Sequence, residues 1–154
     1  MELRKMIVIP LIALATSFGA AAAVVATPAM ADEGIAPIST DDYTYAFSFG
    51  FHGDQRRTEI IEKEDTSATY VLATSNTTTG TYLYVDSFSN NAGYINQTVG
   101  GYAYLGTQEG KFSIHQNVYE NGYRWASLRG MGNSSGYVGG DWSADSWGTY
   151  TSLN

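Results

Sequence analysis

The chain has 154 residues, with 8 Lys+Arg against 15 Asp+Glu, 15% charged residues, no Cys, 17 Gly and 12 Tyr. Such a length excludes a doubly wound nucleotide enzyme carrying a second domain, and the acidic balance excludes a nucleic-acid partner, whose phosphates need a basic patch. Charge is too sparse and rings too plentiful for a coiled coil or a disordered chain.

Arg4 and Lys5 open the sequence, and residues 6–31 then run without a charged side chain until Asp32 and Glu33. This is the architecture of a secretory signal. The uncharged run exceeds the roughly 20 residues of a bilayer span. Against that reading, Ala29-Met30-Ala31 offers small side chains at both positions a signal peptidase accepts, and Pro28 breaks a helix just before them. Cleavage is expected between Ala31 and Asp32, giving a secreted, extracellular product with no stable membrane anchor. Loss of residues 1–31 would leave six basic side chains, Arg56, Arg57, Lys63, Lys111, Arg124 and Arg129, against fourteen acidic ones. That balance speaks against electrostatic attachment to anionic lipid or DNA. Without Cys there is no disulfide scaffold, thiolate metal site or lipidated cysteine, so stability must come from burying large rings.

Residues 32–42 contain Gly34, Pro37 and two acidic clusters without apolar periodicity and read as a flexible leader. From Tyr43 the pattern changes. Tyr43, Tyr45, Phe47, Phe49 and Phe51 alternate with Thr44, Ala46, Ser48 and Gly50, which predicts a strand over 43–51 with its rings on one face. Residues 55–65 have a Glu59/Lys63 pair at helical spacing, but the β-rich stretch 66–73 that follows favours a strand, with 63–67 as a hairpin connection. Tyr82 and Tyr84 alternate with Leu83 and Val85 in a strand over 81–88, and turn signals recur at about ten-residue intervals through 76–80, 90–93, 100–101, 106–110 and 121–122. Asn121-Gly122 predicts a two-residue hairpin turn that would pair Val118-Tyr119 with Tyr123-Arg124-Trp125. One or two final strands are expected in 130–154, with a loop at 132–136. The whole reads as an all-β fold over 43–154, an antiparallel β-sandwich of about seven to nine strands.

Chemistry is sparse. Gly132-Asn133-Ser134-Ser135-Gly136 matches the G-x-S-x-G nucleophile elbow, but that elbow needs a following helix, and both histidines, His52 and His115, precede Ser134, so a glycine-rich turn is expected. The histidines have no carboxylate at metal-ligand spacing, so neither metal nor cofactor is assigned. Glu62, Glu64, Asp86, Glu109, Glu120, Asp141 and Asp145 leave a paired-carboxylate glycosidase as the one catalytic option, with solvated acids the simpler reading. Asn76, Asn96 and Asn133 stand in Asn-x-Ser/Thr triplets of turn-like segments. The most suggestive feature is the excess of rings, since exposed Trp and Tyr stack on sugars or anchor protein interfaces. Trp125, beside Leu128, is expected in the core, whereas Tyr137, Trp142 and Trp147 are the candidate ligand-binding residues.

The alternation over 43–51, the 57–70 segment, Asn117-Val118-Tyr119-Glu120-Asn121-Gly122 and the closing Gly140-Asp141-Trp142-Ser143-Ala144-Asp145-Ser146 resemble an uncharacterised family of small secreted proteins from Gram-positive bacteria, a domain of unknown function. The resemblance implies a signal peptide and a β-rich extracellular domain and transfers no catalytic residue. The family's tail motif has Pro where this chain has Ala144. The expected function is a secreted, non-catalytic binding protein that engages a cell-envelope component, a glycan or a protein. A carbohydrate-binding module and an antibacterial or bacteriocin-associated protein are the alternatives.

Overall fold

A computed structural model describes residues 41–154, and every regular element in that span is a strand. The expected signal sequence, its Ala31/Asp32 junction and all but the end of the 32–42 leader lie outside the described residues. Eleven strands follow in order: β1 (Tyr43–Phe49), β2 (Gln55–Arg57), β3 (Ile61–Glu62), β4 (Thr69–Asn76), β5 (Thr81–Ser89), β6 (Gly93–Asn96), β7 (Ala103–Gly106), β8 (Gly110–Ile114), β9 (Trp125–Gly132), β10 (Gly136–Ser143) and β11 (Thr151–Ser152).

They form two sheets. The five-stranded one runs β1-β10-β4-β8-β11, antiparallel except where β11 joins β8 in parallel. The six-stranded one is centred on the β5–β9 pair, with β2 and β3 sharing the outer edge of β9 and β6 and β7 sharing the outer edge of β5. The strand number exceeds the sequence expectation because both outer strands of this sheet are interrupted. Between β2 and β3 the Thr58 hydroxyl accepts the Leu128 N–H at 3.0 Å in place of a backbone carbonyl, and pairing with β9 resumes one residue out of register.

One core joins the sheets. Tyr45, Phe47 and Phe49 of β1, Val71 of β4, Phe112 of β8 and Val138 and Trp142 of β10 meet Leu83 and Val85 of β5, Leu105 of β7 and Ala126 and Leu128 of β9. Alternation along each strand sends these side chains to one face, so the period-two pattern is also the packing pattern. The β1 rings lie directly on the β9 backbone: a Cβ at Gly130 would stand 2.5 Å from the Phe47 ring, and one at Gly132 would stand 2.5 Å from the Phe49 ring. Glycine at 130 and 132 thus lets the two sheets approach.

Three expectations are corrected. The first strand ends at Phe49 rather than Phe51, because the chain turns back through Gly50 to Gly53, where the Asp54 carboxylate accepts the Gly50 N–H at 2.8 Å; Phe51 is left 66% exposed. Asn121-Gly122 is not a two-residue hairpin. No non-glycine residue among those described has positive φ, so Asn121 does not adopt the required turn, and β8 and β9 belong to different sheets. Instead the Gly122 N–H bonds the Tyr119 carbonyl and the Tyr123 N–H the Val118 carbonyl, both at 3.0 Å, in a compact crossover anchored by buried Val118. Trp125 is 46% exposed rather than buried. In β9 the core side is taken by Ala126 and Leu128, so parity turns Trp125, Ser127, Arg129 and Met131 outward.

Candidate functional site

The outward faces of the two sheets differ in chemistry. On the five-stranded sheet, parity places Thr44, Ala46, Ser48, Thr74, Lys111 and Asp141 outside, mostly short or polar side chains. On the six-stranded sheet the register of β5 with its neighbours assembles a field of rings. Tyr82, Tyr84, Asp86 and Phe88 point outward from β5; Tyr104 of β7 stands opposite Tyr82, Arg129 of β9 opposite Tyr84, and Tyr94 of β6 opposite Phe88.

These residues lock one another in place. The Tyr82 ring meets Tyr102 edge-on at 5.2 Å and Tyr104 at 5.0 Å, and Phe88 meets Tyr94 at 5.0 Å. Arg57 lies 3.8 Å over the Tyr94 ring and Arg129 lies 3.9 Å over the Tyr84 ring. Both guanidiniums are held by the buried carboxylate of Asp86, which accepts Arg57 Nη2 at 2.6 Å, Arg129 Nε at 2.7 Å and Arg129 Nη2 at 3.1 Å. Burial raises the Tyr84 phenol above its usual range, and the neighbouring Arg129 charge offsets part of that rise. Tyr94, Tyr102, Tyr104 and Trp125 remain exposed, so the face offers rigid amphipathic rings at low entropic cost.

Trp125 stands between two grooves. One, about 520 Å³, opens between the edge of β1 and the β2–β3 segment, with Tyr43, Ile60 and Glu62 on its walls and Phe47 and Trp142 at its floor. The other, about 470 Å³, is bounded by Ile60, Phe88, Tyr123 and Arg124.

The structure does not bring the three ligand-binding candidates together. Trp142 is 1% exposed and belongs to the core, so it is not a surface stacking platform; its inward parity in β10 decides this. Tyr137 points outward near the other end of β10, with its hydroxyl over Gly139 of the same strand. Trp147 is 60% exposed in the turn after β10, where it lines a shallow cleft of about 400 Å³ with His115 and Tyr150.

Ser134 sits in the turn joining β9 to β10, where its hydroxyl donates to the Ser135 carbonyl at 2.9 Å and accepts the Thr79 N–H at 3.0 Å. A strand rather than a helix follows it. Asn76 is likewise committed, its amide donating to the Gly106 and Gln108 carbonyls. Among the described residues no group of three or more His, Cys, Asp or Glu is placed to hold a metal ion, and no helix is long and apolar enough to cross a membrane.

A second polar cluster lies beneath the surface at the end of β3. Lys63 is fully buried, with Nζ 2.5 Å from Asp145 Oδ1, 2.6 Å from the Ser67 carbonyl and 3.6 Å from Asp65 Oδ1. Asp145 Oδ2 accepts the Glu64 N–H at 3.0 Å. Burial lifts the Asp145 carboxyl above the usual carboxylate range despite its bonds to Lys63 and Glu64. Asp65 lies on the other side: burial alone would raise it, but hydrogen bonds from Ser67 and Asp145 and the Lys63 charge hold it below that range. Sequence reading missed this cluster, since Lys63 stands in a charged stretch and its partner is 82 residues away.

The sequence pattern of a family described as "Protein of unknown function (DUF2712)" matches residues 28–146, and the chain belongs to this family. No curated protein and no solved structure matches it.

Proposed function

We propose that the protein is exported and works as a non-catalytic binding module at or outside the envelope of a Gram-positive cell, with the outward face of its six-stranded sheet as the binding surface. Its two sheets are read as an antiparallel sandwich with one curled layer. The observation that carries the reading is the Asp86-centred array in which two arginines stack on Tyr94 and Tyr84, beside the exposed Tyr102 and Tyr104 packed on Tyr82. Tyr, Trp and Arg are the residues that dominate binding energy at protein interfaces. Because Arg57 and Arg129 already cover the Tyr94 and Tyr84 rings, this face suits a protein partner better than a stacked sugar. A photo-crosslinking residue placed at Tyr104 tests this: it should couple to one defined envelope or secreted protein, whereas the same residue at Thr44 on the other sheet should not. Equal labelling from both faces, or none from Tyr104, would reject the assignment.

A glycan ligand is favoured by one separate observation, the exposed Trp125 between two grooves. Soluble glycans should then quench tryptophan emission in the wild-type chain and not in Trp125→Leu. Unchanged wild-type emission across a glycan panel would remove this reading.

A further inference from the structure

We propose that the folded chain joins Lys63 to Asp145 through an amide bond between Nζ and the side-chain carboxyl carbon, with loss of water. This modification is independent of the binding face and lies at the opposite level of the molecule's chemistry: it concerns a buried pair rather than exposed rings.

Geometry supplies the first argument. Asp145 Oδ1 is 2.5 Å from Nζ, so the carboxyl carbon lies within about 3.7 Å of the amine, close to the separation at which an oriented pair reacts as though at very high concentration. Neither group can move away. Lys63 is fully buried with its own N–H bonded to the Arg124 carbonyl at 2.9 Å, and the Asp145 carboxylate is pinned by the Glu64 N–H.

Protonation supplies the second. In water an amine and a carboxylic acid exchange a proton and become unreactive ions. Burial disfavours the carboxylate and so favours the neutral acid facing the amine. Burial holds the Asp145 carboxyl above the usual carboxylate range, which is that direction, and Asp65, 3.6 Å from Nζ with its N–H on Asp145 Oδ1, stays a carboxylate able to carry the proton.

The steps balance. A proton passes from the Lys63 ammonium to Asp145, leaving both neutral. The Nζ lone pair attacks the carboxyl carbon, and the negative charge that develops on Oδ2 is met by the Glu64 N–H. Asp65 then takes a proton from Nζ and delivers it to the other oxygen, which leaves as water while the C=O re-forms. Asp65 ends as the carboxylate it was at the start, and the single remaining N–H of the amide keeps the Ser67 carbonyl as its acceptor, now at 2.6 Å from Nζ. The link would close a ring spanning 82 residues of sequence in a chain that has no Cys to staple it.

The test is a tryptic digest of the exported full-length product after complete denaturation, read by mass spectrometry. Acylated Lys63 resists trypsin, so the expected species is peptide 58–111, uncut at 63, attached to peptide 130–154 and lighter by about 18 Da than the two together. Separate peptides 58–63, 64–111 and 130–154 at their unmodified masses would overturn the proposal and leave a buried ion pair. Lys63→Arg keeps the positive charge but should release peptide 130–154 unlinked. Asp65→Asn, checked for an unchanged circular dichroism spectrum, should lower the linked fraction at least tenfold, and full linkage in that variant would refute the part given to Asp65.

Discussion

Replacing Asp86 by Asn tests whether the outward face is rigid because of a single buried carboxylate. Asp86 accepts three N–H bonds, at 2.6, 2.7 and 3.1 Å, from two guanidiniums, and is itself 2% exposed on its side chain. Asn retains the volume but removes the charge and presents N–H groups to cations. Breaking one partner of a fully buried pair costs about 3–5 kcal/mol. Arg129 is 15% exposed and Arg57 31%, so water recovers part of that cost, chiefly for Arg57. The expected loss is therefore about 3 kcal/mol, of which about 2 belongs to Arg129 and about 1 to Arg57. For a domain of this size that lowers Tm by roughly 10 °C. Urea unfolding of wild type and Asp86→Asn, followed by tryptophan emission, measures the difference directly, and Arg57→Gln alone should cost only about 1 kcal/mol. A loss under about 0.5 kcal/mol in Asp86→Asn would refute the reasoning, since that is the range of ordinary surface changes.

Three other expectations concern the core and the acid range. Gly130→Ala would drive a Cβ to 2.5 Å from the Phe47 ring and should destabilise by about 1–3 kcal/mol in the same unfolding assay. Tyr45→Phe removes a buried hydroxyl that has no hydrogen-bond partner, so Tm should hold or rise, by up to about 1 kcal/mol of stability. Asp54 is held below the usual carboxylate range, first by the Gly50 N–H and then, against a partial rise from burial, by Arg56. A depressed carboxylate stabilises above its unfolded pKa and loses that contribution as pH falls through the folded value, so Asp54→Asn should flatten the decline in stability below about pH 4 and leave the neutral range unchanged in slope.

Much of the fold was legible because period two is a strong signal where one face carries only rings. Tyr45, Phe47 and Phe49 are buried as their alternation requires. The same signal fails where both faces are apolar. In β5 the inward Leu83 and Val85 alternate with the outward Tyr82 and Tyr84, and nothing local tells which set is core. For Trp125 the clue was present: Ala126 and Leu128 share a parity that excludes it, and Arg129 shares its own. The nearby Leu128 suggested burial by adjacency, which in a strand is the wrong test. Phe51 leaves the alternation because a turn closed by Asp54 interrupts an otherwise continuous pattern. The Asp86 and Lys63 clusters were beyond reach, since their partners meet only through sheet register and tertiary packing, at sequence separations of 29, 43 and 82.

The most direct measurement on the proposed binding surface is a titration of washed envelope preparations from the producing strain with the wild-type protein and with the Tyr102→Ser/Tyr104→Ser double variant, alongside a Thr44→Ala/Ser48→Ala control on the opposite sheet. Two interface anchors of this kind predict at least about a tenfold weaker Kd for the tyrosine variant, measured well below its Tm, which falls modestly because both rings pack on Tyr82, with control binding unchanged. Saturable binding of equal strength in all three proteins, or weakening confined to the control, would contradict the assignment of function to the outward face of the six-stranded sheet.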